Sequence, residues 1–183
     1  MKQKLLFLLV SATLMMGFVA CGDDDEPITP TPNGTAPHFT GDAEIRNNEI
    51  VILGNGVVLS SRCSGYSIML APRVDSLVFQ DFSFVLNTNE YLSLGDQCKL
   101  TLLGNSVIEL NKDATIYCSK LTLGLGSNAK ASLTIRKQVN DFQQFYHIIT
   151  YEEDTEYNLT PATKTDDGHY EVTWTVTKKS EET

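Results

Sequence analysis

Basic side chains are scarce in this chain. Of 183 residues, 14 are Lys or Arg against 23 Asp or Glu. Lys2 and Lys4 lie near the start, so residues 39–183 keep twelve bases against nineteen acids, a balance of −7. A surface this acidic repels phosphate backbones, which excludes nucleic acid as a partner and leaves neutral glycans or cations. Long apolar runs are also missing: none after Cys21 reaches bilayer-spanning length. Helical periodicity is nearly absent, which excludes bundles and coiled coils. Beyond Cys21 only Cys63, Cys98 and Cys118 occur, too few for a disulfide-built scaffold. The fold must therefore rest on one hydrophobic core, for which about 145 residues suffice.

Catalytic patterns are missing too. No Gly-x-Ser-x-Gly occurs. His38, His147 and His169 share no metal-ligand spacing with one another or with cysteine. Asp75, Asp81, Asp96 and Asp113 are scattered, and no acid pair is spaced to stack over Arg46, Arg62, Arg73 or Arg136. The expectation is a protein that is not an enzyme, with no cofactor and no metal.

What the sequence does contain begins with an address. Lys2 and Lys4 precede an apolar run from Leu5 to Ala20, and Phe18-Val19-Ala20-Cys21 ends it. This is a secretory signal arrangement. The junction resembles the lipobox of bacterial lipoproteins, which implies acylation of Cys21 after cleavage. The run Asp23-Asp24-Asp25-Glu26 resembles the surface-export signal of lipoproteins from the Bacteroides group. The resemblance implies a lipid-anchored, surface-exposed protein of the outer membrane, whose acyl chains hold it without a spanning segment. Residues 21–38 then form a lipidated cysteine and a Pro/Thr-rich tether with little to bury.

Residues 50–135 carry a repeat. Val51-Ile52-Leu53-Gly54-Asn55-Gly56-Val57 parallels Thr101-Leu102-Leu103-Gly104-Asn105-Ser106-Val107. Rungs starting at Ile50, Leu77, Leu100 and Leu121 are spaced by 27, 23 and 21 residues. A second column, Leu59, Leu86 and Leu110, is spaced by 27 and 24; a third, Ile68, Leu92 and Ile116, by 24 and 24. Short alternating runs at such a period describe stacked strands that bury a face only by piling coil on coil. The predicted fold is all-β: a short right-handed parallel β-helix of about four coils over residues 39–136. Residues 137–183 form a C-terminal antiparallel β cap and tail, because an open solenoid end exposes core and strand edges. Trp174 and the Phe/Tyr group of the cap belong to its core. Asn87 and Asn111 are expected to stack at one corner. Cys98 and Cys118 precede successive rungs and are expected to form a disulfide, with Cys63 left free and buried.

The phrases KLTLLGNSVIELN (residues 99–111) and KLTLGLGSNAKASLTI (residues 120–135) resemble the repeats of bacterial β-helical carbohydrate-binding proteins. The resemblance implies a non-catalytic module for glycan binding or adhesion. If Leu92 and Ile116 point inward, then Tyr91 and Tyr117 point outward on adjacent coils and form the candidate ligand platform. The expected partners are a glycan or another surface protein, with outer-membrane lipid engaged through Cys21. An alternative is a structural or assembly component of the cell surface; a third reading is a degenerate polysaccharide-processing enzyme.

Overall fold

The computed structural model describes residues 34–180. Residues 1–20, expected to be a signal segment, Cys21 and the acidic run lie outside the described residues. The fold is a β-solenoid of about four turns, with antiparallel strands in the C-terminal part.

Three faces run along it. The first stacks the early halves of β4 (Val57–Ser64) and β6 (Ser76–Leu86), then β8 (Gln97–Leu103), β11 (Lys120–Gly124) and β13 (Ile149–Tyr151), all in parallel. The second stacks the late halves of β4 and β6, then β9 (Asn105–Leu110) and β12 (Lys130–Lys137). The third stacks β3 (Glu49–Ile52), β5 (Ser67–Leu70), β7 (Tyr91–Ser93) and β10 (Thr115–Tyr117). Alternate residues point inward from each strand and leave almost no exposed surface: Leu59, Ile68, Leu77, Phe84, Leu92 and Leu100 are all 0% exposed. Burying one such side chain is worth roughly 1.5–3 kcal/mol, and no strand could realise that alone.

The inward files differ in part from those read in the sequence. Ile68, Leu92 and Ile116 do form one file, which Ile50 heads. The file through Leu77 and Leu100 begins at Val57 and continues to Leu123, so Ile50 and Leu121 do not belong to it. Leu121 stands opposite Cys98. Leu86 and Leu110 pair as expected, whereas Leu59 heads a different file with Phe79 and Leu102. The cause is the repeated phrase Leu-Gly-Asn, which makes two different corners. Leu53-Gly54-Asn55 turns the chain from the third face to the first; Leu103-Gly104-Asn105 turns it from the first to the second.

The drifting period also originates at the corners. Between the first and second faces the chain bends at Ser61 in one coil, Asp81 in the next and Gly104 in the third, all with positive φ. The pairing of β4 with β6 slips by one residue there, between Ser60 and Arg62. The added residue is Phe82, which packs inward against Phe79 and Phe84 at centroid distances of 4.7 and 5.6 Å. Its amide donates to the buried hydroxyl of Ser106 at 3.1 Å, so the extra backbone donor is satisfied. At the corner between the second and third faces, Asn111 Nδ2 donates to Asn87 Oδ1 at 3.4 Å and Gln138 Nε2 to Asn111 Oδ1 at 3.5 Å, a loose ladder that includes the expected asparagine pair.

Both ends carry antiparallel strands. At the N-terminal end β1 (His38–Thr40) pairs with β4 and β2 (Ala43–Arg46) with β3. His38 therefore belongs to a sheet, and Thr35 bridges Ser64. At the other end β15 (Tyr170–Lys178) pairs antiparallel with β12, and β14 (Thr155–Lys164) with β15. Val172, Trp174 and Val176 face inward and are buried. The cap is not all strand, however: β13 continues the parallel first face, and α1 (Gln143–Ile148) lays Phe145 over the core beside the buried Phe142.

Candidate functional site: an outward tyrosine pair and its surroundings

The alternation that buries Leu92 and Ile116 turns Tyr91 and Tyr117 outward on adjacent coils. They are diagonal neighbours, because Tyr91 stands opposite Thr115 and Tyr117 opposite Ser93. Their rings meet edge to face at 6.1 Å, inclined by 62°. The pair is thus a bent aromatic surface rather than the flat one that two residues in direct register would give.

Tyr91 is held from below. Its hydroxyl donates to Glu49, two strands away on the same face. The ring crosses the rung that carries Ser67, a small residue 8% exposed, whose hydroxyl accepts the Tyr91 amide at 3.1 Å. The Glu49 hydrogen bond, with burial and the carboxylate charge adding to it, raises the Tyr91 hydroxyl above its ordinary pKa. Tyr117 is 57% exposed and forms the outer wall of the patch. Beside it opens a hollow of about 450 Å³ lined by Asp96, Thr115, Tyr117, Cys118, Ser119 and Gln144. Gln144 closes the free edge of β10 by donating to the Ile116 carbonyl at 3.2 Å. An exposed ring beside a shallow, mainly apolar hollow can take the apolar face of a small ring on Tyr117 while Asp96, Ser119 and Gln144 meet its hydroxyl groups.

A second polar feature lies on the second face. Glu109, Arg136 and Glu171 stand in register on three adjacent strands. Arg136 donates to Glu109 at 2.9 Å and to Asp167 at 2.5 Å, and its Nε lies 3.7 Å from Glu171. His169 adds contacts of 3.3 Å to Asp167 and 3.9 Å to Glu109. The Thr165 hydroxyl, then Arg136, hold the Asp167 carboxyl well below the usual carboxylate range. This stack borders a groove of about 360 Å³ over Ser83, Val85, Val107 and Thr134, with Arg62 on its rim. The sequence does contain the signal, since Glu109 and Arg136 are 27 residues apart, one coil at that point. Counting only aspartates as corner acids missed it. Its evident work is to clamp the turn between β14 and β15 onto the solenoid.

Cys63, Cys98 and Cys118 are free thiols, so the bridge expected between Cys98 and Cys118 is not formed in this structure. The residue opposite Cys98 is Leu121, and Cys118 instead donates its S–H to the Lys120 carbonyl at 3.1 Å. Burial pushes the thiols of Cys63 and Cys98 up to about 12. Comparison with protein-family models, with curated proteins and with solved structures finds no match.

Proposed function

We propose that the chain is a non-catalytic surface module that binds glycan, presented on the outer membrane through an acylated Cys21. The observation that carries the reading is the exposed ring of Tyr117, paired with the anchored Tyr91 and set beside a hollow whose lining includes Asp96, Ser119 and Gln144. Supporting it are the lipobox-like junction at Cys21 and the resemblance of residues 99–111 and 120–135 to β-helical carbohydrate-binding repeats. The acidic balance fits neutral sugars better than anionic ones.

The test is binding of residues 22–183 to an array of host and plant glycans, beside Tyr117→Ala and Tyr91→Phe. The reading expects binding that Tyr117→Ala abolishes and Tyr91→Phe weakens by freeing the ring from Glu49. Absence of binding to every neutral glycan, or binding indifferent to Tyr117, refutes it. A second reading, assembly with surface proteins, draws on a different observation: Val139, Tyr146, Tyr151 and Tyr157, from 38% to 65% exposed, all lie in the C-terminal part. It expects ordered oligomers or crosslinked partners that are lost on Tyr151→Ser with Tyr157→Ser, and a monomer without partners contradicts it.

A further inference from the structure

We propose that Cys98 and Cys118 form an oxidisable pair, a disulfide site joining two successive coils at the border of the hollow beside Tyr117. Cys98 is an inward residue of β8, 2% exposed. The next coil reaches it round a tight corner, Cys118-Ser119-Lys120, where the Lys120 amide donates to the Asp96 carbonyl at 3.0 Å. That corner folds Cys118 back against the core. Its sulfur donates to the Lys120 carbonyl at 3.1 Å and lies near the Cys98 backbone. Leu121 of the next coil stands opposite Cys98 at the usual separation of about 4.8 Å, and the corner at Ser119 returns Cys118, three residues earlier, toward the same point. Closing the bond needs the Cys118 sulfur to leave the Lys120 carbonyl and turn toward Cys98, with the backbone register kept. Cys63 is elsewhere, on the second face in register with Phe84.

The two thiols differ in a way that orders the chemistry. Cys98 is 2% exposed, whereas Cys118 is half-buried and lines the hollow, so a dissolved oxidant reaches Cys118 first; burial raises both thiols, Cys98 the further. The oxidant is a small-molecule disulfide such as oxidised glutathione. The Cys118 thiolate attacks one sulfur of the oxidant, forms a mixed disulfide and releases one reduced thiol. The Cys98 sulfur then attacks the Cys118 sulfur, the mixed disulfide breaks, and a second reduced thiol leaves; the protons of Cys98 and Cys118 end on the two released thiols. The proposal does not depend on glycan binding.

The test treats the full chain with oxidised glutathione under native conditions, alkylates the remaining thiols and digests with trypsin without reduction. The expected product joins the peptide of residues 74–99 to that of residues 113–120, with Cys63 recovered alkylated. Recovery of Cys98 and Cys118 as separate alkylated or glutathione-capped residues overturns the proposal, as does a linkage of either to Cys63. A parallel sample in urea is expected to lose this selectivity, and an equal yield of the 98–118 link there contradicts the claim that the fold sets the pairing.

Discussion

Gly104→Ala probes the corner on which the stacking depends. Gly104 has φ +98°, and a Cβ placed there lies 2.1 Å from the Asp81 Oδ1 of the preceding coil. That carboxylate oxygen accepts the Asn105 amide at 2.9 Å, so it holds the corner of one coil to the corner of the next. Alanine therefore adds two costs. A side chain at positive φ costs about 1–2 kcal/mol. Displacing Asp81 loses a hydrogen bond to a charged acceptor, about 1.5–3 kcal/mol. The sum is roughly 2.5–5 kcal/mol, a drop of about 5–20 °C in Tm for a domain of this size. Gly56 supplies the control, with φ +71° and nothing within 4 Å of an added Cβ. Gly56→Ala should cost only the conformational part, about 1–2 kcal/mol. Urea unfolding of both variants measures the difference. Asp81→Ser, which places there the residue that bends the first coil at Ser61, should remove part of the Gly104→Ala penalty in the double variant. Equal costs for the two glycines, or full additivity with Asp81→Ser, refute the reasoning.

Two further outcomes follow from the polar stack and the thiols. Arg136→Met leaves Glu109 and Glu171 without their shared cation and should destabilise the chain by about 1.5–3 kcal/mol at neutral pH. Asp167 is held below its ordinary pKa, so its contribution is full above about pH 4 and is lost as pH falls through its folded value. Urea midpoints of the two proteins should therefore converge in acid, and a penalty constant down to pH 2 contradicts the clamp. Burial raises the Cys63 and Cys98 thiols to about 12, so the stability they favour is complete below the ordinary thiol pKa of about 8.5 and is lost as pH rises toward about 12. Timed alkylation of the folded protein near pH 8 should modify Cys118 first, and faster reaction at Cys63 or Cys98 overturns the burial argument.

The third-face file was legible because Ile68, Leu92 and Ile116 recur at an even 24 residues, and evenness is what stacking at constant corners produces. The first face was misread because two copies of Leu-Gly-Asn sit at different corners, and similarity of a turn phrase carries no information about which face follows it. Trp174 was placed in the core by its strict alternation with Val172 and Val176. The helix over the end escaped notice, since six residues with one buried aromatic ring leave no 3.6-residue pattern to detect. The outward position of Tyr91 and Tyr117 followed from alternation alone. The Glu49 anchor did not, because it links strands two coils apart and depends on the small Ser67 between them. The Glu109–Arg136–Glu171 stack crosses from parallel to antiparallel pairing, so no single period contains all three residues.

Everything above rests on which side chains pile upon which. Methyl and backbone proton contacts in solution read this directly. The account predicts that the Leu100 methyls meet those of Leu77 and Leu123, that Leu92 meets Ile68 and Ile116, and that these strands lack the close Hα–Hα pairs of antiparallel neighbours. Contacts of Leu100 with Leu121 in place of Leu123, or strong Hα–Hα pairs between β6 and β8, would contradict it.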